Sequence, residues 1–227
     1  MLPGQHVLES LRILGAHPFT MLEISAFGVI PTAGSQLMVA TWATVILFQI
    51  PFIVAQQVVY AALVYAGASF SDMTTIAAAD TLEAYRTALR KLRDIVELFI
   101  REGVAASLLT ITVVGIPWAV RLFVRWNFAI YAVVLNDVNA KGAISFSCDL
   151  VTGRWWQIAG LLFATSAPGV LISLAVLLIT QTTLTSAVFW VIYSLLVTPL
   201  IATFWTLQFL ELRTGHPGCQ AESMCAT

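Results

Sequence analysis

Long apolar runs alternate along this chain with short stretches where charge returns, a pattern that predicts an all-α, polytopic membrane protein. Between positions 19 and 70 the single charged residue is Glu23. At about 1.5 Å of rise per residue and a hydrocarbon core about 30 Å thick, that run is too long for one crossing and suits two. A Pro and a Gly close together in VIPTAGS, 29–35, place the break, giving crossings at 18–31 and 37–66, with Pro51 kinking the second. From 95 the chain is apolar to 116, meets Pro117 and continues to 135, which predicts crossings at 95–116 and 117–135 or, alternatively, one long kinked helix. Crossings at 155–179, interrupted by Pro168 and Gly169, and at 185–210, containing Pro199, bring the number to six, and 211–227 is a polar tail.

The polar stretches carry their own periodicity. In 5–17 the apolar positions Val7, Leu8, Leu11 and Leu14 fall at helical spacing with Glu9 and Arg12 between them, so a helix lying on the membrane surface is expected there, ended by His17 and Pro18. Asp80 or Thr81 is the N-cap expected for a second surface helix, with Leu82, Tyr85, Leu89, Leu92 and Val96 on one face. The stretch 136–156, NDVNAKGAISFSCDLVTGRWW, holds a third. There Gly153 supplies a turn, and Arg154, Trp155 and Trp156 sit at headgroup level where the chain enters the bilayer. Three tandem units follow, each a surface helix and then a hairpin of two crossings, with Ser10, Ala84 and Ala143 in comparable places.

Composition agrees with the pattern. Of 227 residues 59% are hydrophobic and 10% charged, with a mean hydropathy of +0.89, whereas a soluble globule carries about 25% charged residues. A net charge of -1 and the lack of a basic arm exclude a nucleic-acid partner. Of the 11 Lys and Arg, Arg86, Arg90, Lys91 and Arg93 lie in one loop, Lys141 and Arg154 in the central one, and Arg12 and Arg213 near the two ends. The connections near 31–36, 115–117 and 180–186 carry none, so six crossings with both termini cytoplasmic satisfy the positive-inside rule at every loop. On that side Cys148, Cys219 and Cys225 are free thiols.

Ala143, Ser147, Leu150, Gly153, Arg154 and Trp155 form a motif that resembles the membrane domain of glycerophosphoryl diester phosphodiesterases and its stand-alone bacterial relatives of unknown function. Pro199, followed by Glu211, Leu212 and Arg213, is similar to that family's acidic-Leu-Arg ending, and LEAYRTALRKL, 82–92, resembles its earlier surface helix. The resemblance implies a bacterial inner-membrane protein and a regulatory link to a lipid phosphodiesterase. This chain departs from the pattern at Tyr131 and Asn136, where the family has Pro and Glu, and at Ser145, Phe146 and Asp149, where it has basic residues. Each basic residue at a surface is worth about 1 kcal/mol of attraction to anionic lipid, so most of that attraction is missing here. Nothing in the chain could form the catalytic barrel of about 250 residues.

Four charges remain inside predicted crossings. Arg121 and Arg125 stand four apart on one face, and Glu23 and Glu102 fall within the first and third crossings. An arginine at mid-bilayer costs roughly 2.5–3.5 kcal/mol, so an ion-pair network among Glu23, Glu102, Arg121 and Arg125 is expected. Ser147 has no His near it in sequence, and no haem, metal, nucleotide or other cofactor pattern is present; His216, Cys219 and Cys225 fit no standard metal spacing. The expectation is a non-enzymatic scaffold or accessory subunit that binds other membrane proteins. The alternatives are a transporter or lipid-handling protein with a polar site around Arg121 and Arg125, and a regulatory module of a lipid phosphodiesterase.

Overall fold

The computed structural model describes residues 3–29, 50–71, 81–110, 115–179 and 183–214. Among these residues the chain is helical and no strand occurs: α1 Pro3–Ala16, α2 Pro18–Phe27, α3 Ile50–Ser71, α4 Thr81–Arg90, α5 Leu92–Thr110, α6 Ile116–Trp126, α7 Ala129–Asn136, α8 Ala140–Val151, α9 Trp155–Ile179 and α10 Thr183–Thr214. Among the described residues, four segments are long and apolar enough to cross a bilayer: Ile53–Ser71, Ile116–Asn136, Trp155–Ile172 and Val188–Thr214. The chain is therefore a helical protein with several membrane-compatible, multi-pass helices.

Several expected boundaries move. The crossing expected at 37–66 runs on to Ser71, and its first part, up to position 49, lies outside the described residues, so that Pro51 stands in the first turn of the described helix. Of the crossing expected at 18–31, α2 supplies ten residues. The helix over 95–116 is α5, which carries Arg93, Asp94, Glu97, Arg101 and Glu102 and falls short of the measure the other four meet. The 117–135 crossing is broken at Asn127 and Phe128 into α6 and α7. By contrast, α9 passes through Pro168 and Gly169 without the interruption expected there, and α10 extends past 210, so Glu211, Leu212 and Arg213 belong to its last turn rather than to a polar tail. The end of the tail, with His216, Cys219 and Cys225, lies outside the described residues.

The interior is built from α3, α7 and α10. In α3 the run Ala61, Ala62, Leu63, Val64 and Ala66 is fully buried, and small residues let α10 approach closely: a Cβ added at Gly67 would lie 3.6 Å from Thr203 and Thr206. In lipid, helix association depends on such close packing, because the tails are as apolar as the side chains. Phe128 and Tyr131 meet Phe209 at centroid distances of 6.0 and 5.8 Å, and Phe128 meets Trp205 edge-on at 5.7 Å, which ties α7 to α10. Outside this centre α2 packs on α3 and α10, α5 on α3, α6 and α7, and α9 on α6 and α10.

Short polar helices cover one end. Helix α8 packs on α7, α4 on α3, and α1 on α10, and in each case a small residue makes the contact: Ala143, Ala84 and Ser10 are fully buried. Asn139 caps α8 by accepting the Gly142 N–H at 2.8 Å, and Gly153, at φ +83°, makes the turn into α9. Tyr85 donates its hydroxyl to the Ile24 carbonyl at 2.7 Å, holding α4 to α2, and burial pushes that hydroxyl well above its ordinary pKa, so it stays a neutral donor. In α1 the buried face is His6, Ser10 and Ile13, while the apolar stripe of Val7, Leu8 and Leu11 faces outward. An exposed apolar stripe on a helix at the membrane surface is what lipid, rather than protein, would cover.

Candidate functional site

The site begins at the helix break. A chain that stops being helical inside an apolar bundle frees backbone groups that have no water to turn to. Here Ser147 of α8, fully buried, donates its hydroxyl to the Arg125 carbonyl at 2.6 Å and accepts the Phe128 N–H at 3.2 Å. Both bonds fall on the break, so the hydroxyl substitutes for the missing helical ladder. The Ala132 N–H then returns to the Phe128 carbonyl at 3.1 Å and the helix resumes as α7.

Asn127 stands in the break, and its amide Nδ2 is buried without a hydrogen-bond partner. Among the described residues, Asn136 Oδ1 and Trp155 Nε1 share that condition, but neither lines the cavity that Asn127 lines. This cavity, of about 380 Å³, is a cleft between α9 and α10 floored by α3 and α6. Asn127, Tyr60, Thr165, Ser166 and Tyr193 supply polar groups, while Phe123, Trp190 and Trp205 supply apolar surface. The Thr165 and Ser166 hydroxyls donate to carbonyls of their own helix, so only their lone pairs face the space. Tyr193 lies over Gly169, where a Cβ would come within 2.7 Å of its Oη. The Tyr60 and Tyr131 hydroxyls bond to each other at 2.6 Å.

A smaller cavity of about 130 Å³ lies behind Tyr60, lined by Ser25, Gln56, Gln57, Ser194 and Thr198. A third, of about 1050 Å³, opens at the surface between α1, α3 and α10, where His6 Nε2 meets Glu211 Oε2 at 2.5 Å. The His6 ring also sits edge-on to Phe204, so α1 is docked through its polar face.

The four intramembrane charges are not brought together. Glu23 is exposed and accepts a hydrogen bond from Thr81 Oγ1 at 2.9 Å. Arg121 is exposed with its guanidinium 5.9 Å from the Trp118 ring, Glu102 is half-buried on α5, and Arg125 enters the site through its carbonyl. The ion pairs among the described residues are His6–Glu211, Arg12–Glu9, Arg101–Glu97 and Lys91–Asp137, and none joins any two of the four. Glu23 and Arg121 stand at exposed positions, where hydration or headgroup contact removes the need for a buried ion-pair partner.

The motif of α8 fares differently. Ala143, Ser147 and Leu150 are its buried face, Gly153 is the turn, Arg154 is exposed, and Trp155 packs against the interior beside a Trp156 that is 83% exposed. Leu212 is buried, and Glu211 holds His6. The residues that line the cleft, Tyr60, Asn127, Tyr193, Thr165 and Ser166, were not marked by periodicity. The signal available was the polar residue inside an apolar span, which for Asn127 stood next to the more conspicuous Arg125. Compared with protein-family models, curated proteins and solved structures, the chain matches none.

Proposed function

We propose that this chain is a non-enzymatic, lipid-handling membrane protein that admits one amphipathic molecule from the bilayer into the cleft between α9 and α10. The observation that supports it is that cleft, where Asn127, Tyr60 and Tyr193 supply polar groups between the rings of Trp190 and Trp205. The Asn127 Nδ2 is buried and unpaired beneath the cleft surface, and a ligand acceptor met by a turn of that side chain would remove the roughly 1–3 kcal/mol that an unsatisfied buried donor costs. Helix α9 makes the entrance plausible in physical terms, since 6% of its spanning window is buried, the least of the four spans. A polar-lined opening beside a sparsely packed helix suits lateral entry of a lipid. The site is centred on Asn127 and Tyr60, displaced from the Arg121 and Arg125 surroundings first expected.

In this proposal the protein lies in a bacterial inner membrane with six crossings and both termini cytoplasmic. Its three units close into a ring. The surface helices α1, α4 and α8 each pack on the last span of the preceding unit, and α1 meets α10 to complete the circle. The scaffold reading keeps one specific support: Phe163, at 76% exposure, and Leu171 stand on the outward face of α9, where another membrane protein could pack as well as lipid. Regulation of a separate phosphodiesterase rests on the resemblance of the α8 motif. Gentle extraction followed by native mass spectrometry tests the first proposal. A bound lipid retained by the wild type and lost from Asn127→Leu is the expected result; a stoichiometric protein partner with no lipid would favour the scaffold.

A further inference from the structure

Tyr60 lines both the 380 Å³ cleft and the 130 Å³ chamber behind it, so its ring is the partition between them. No charged side chain lines either space among the described residues. The polar side-chain groups of the lining residues are hydroxyls, carboxamides and the indole N–H groups of Trp190 and Trp205. Such groups reward a hydroxyl or carbonyl by hydrogen bonding. They do little for a phosphate, whose charge would lose its hydration with no cation to replace it, a loss of several kcal/mol per ion.

The hydroxyl pair sets the direction of recognition. Tyr131 is 1% exposed and packed among the rings of Phe128 and Phe209, whereas Tyr60 faces both cavities. Two hydroxyls joined by one bond leave one proton over. With the enclosed Tyr131 as the donor of this bond and Tyr60 as its acceptor, the Tyr60 O–H is free to donate into either space. The chamber would hold several waters at about 30 Å³ each in liquid, or one glyceryl-sized head.

From this arrangement, and resting on the lipid-handling proposal above, we infer that the ligand is an electrically neutral amphiphile with a hydroxyl- or carbonyl-bearing head, of the diacylglycerol kind. Its chains lie in the cleft along α9. Its head bonds Tyr60, draws the Asn127 amide round to it from beneath the cleft surface, and is received by Gln57, Ser194 and Thr198 when the Tyr60 ring swings aside.

Trp190 and Trp205 line the cleft, so a brominated lipid seated there quenches their fluorescence. The full chain in phosphatidylcholine nanodiscs is titrated with dibromo-acyl diacylglycerol and, separately, with dibromo-acyl phosphatidylglycerol. Diacylglycerol is expected to quench saturably, phosphatidylglycerol only in proportion to its bulk content. Tyr60→Phe is expected to weaken the diacylglycerol curve about tenfold, the scale of one hydrogen bond. The paired Ser194→Ala and Thr198→Val changes, which keep the chamber's volume, give a second readout should Tyr60→Phe fail to fold, and a weaker curve is expected there too. Equal saturation by phosphatidylglycerol overturns the neutral-head inference and leaves the cleft standing. Unchanged binding in the Tyr60 and chamber variants removes their part in recognition. Saturation by neither lipid overturns the lipid-handling proposal itself.

Discussion

Ser147 carries two hydrogen bonds to one neighbouring segment, and both are needed because the neighbour is broken there. Removing the hydroxyl leaves the Arg125 carbonyl and the Phe128 N–H unmatched in an apolar interior. Ser147→Ala is therefore expected to lower stability by about 1–3 kcal/mol, read as a fall in the detergent-solubilised melting temperature. A melting curve identical to the wild type would show that water or a backbone shift replaces the hydroxyl. At this scale the sequence was informative about where to look and silent about why. Ser147 stands out through its motif, but its partners are 19 and 22 positions away in a break that no Pro or Gly marks. Asn127 was harder to see, since one amide in a 21-residue apolar span barely alters its hydropathy.

Between elements, α3 and α10 share the most extensive helix contact among the described residues, and Gly67 sits within it. A Cβ at Gly67 meets Thr203 and Thr206 at 3.6 Å, an ordinary van der Waals distance, so Gly67→Ala is expected to be neutral or slightly stabilising. Gly67→Leu has no such room and should cost about 1–3 kcal/mol by forcing the helices apart, seen as earlier thermal aggregation of the purified protein. Helix α1 gives a second comparison. Ser10 is fully buried against α10 and Leu11 faces outward, so Ser10→Leu should expose the N-terminal helix to limited proteolysis while Leu11→Ser should not. The opposite order would mean that α1 is held by its apolar stripe. Spacing alone located α1 and its outward apolar stripe but did not show that His6, Ser10 and Ile13 make the protein contact. Periodicity reports that a helix is two-sided, and in a bilayer the apolar side has lipid as a partner of equal merit.

For the whole molecule the helical, multi-pass character was legible because 59% hydrophobic content leaves no soluble alternative. The number of crossings was less so. Helix α5 holds Glu97, Arg101 and Glu102, yet Arg101 satisfies Glu97 within its own helix, its Nη2 lying 2.6 Å from Oε1. Self-neutralised pairs of this kind lower the insertion cost in a way that residue counts miss. The six-crossing ring proposed above would put Trp118, at the start of α6 and 61% exposed, on the outer face of the membrane and Thr214, at the end of α10, on the inner face. With Cys148, Cys219 and Cys225 replaced by Ser, Trp118→Cys in intact cells is expected to react with a membrane-impermeant maleimide. Thr214→Cys should react only after the membrane is opened. If Trp118→Cys instead labels only in opened membranes and Thr214→Cys already in intact cells, then with the basic loop around Arg86 to Arg93 held inside α5 does not cross, and the ring of three equivalent units falls.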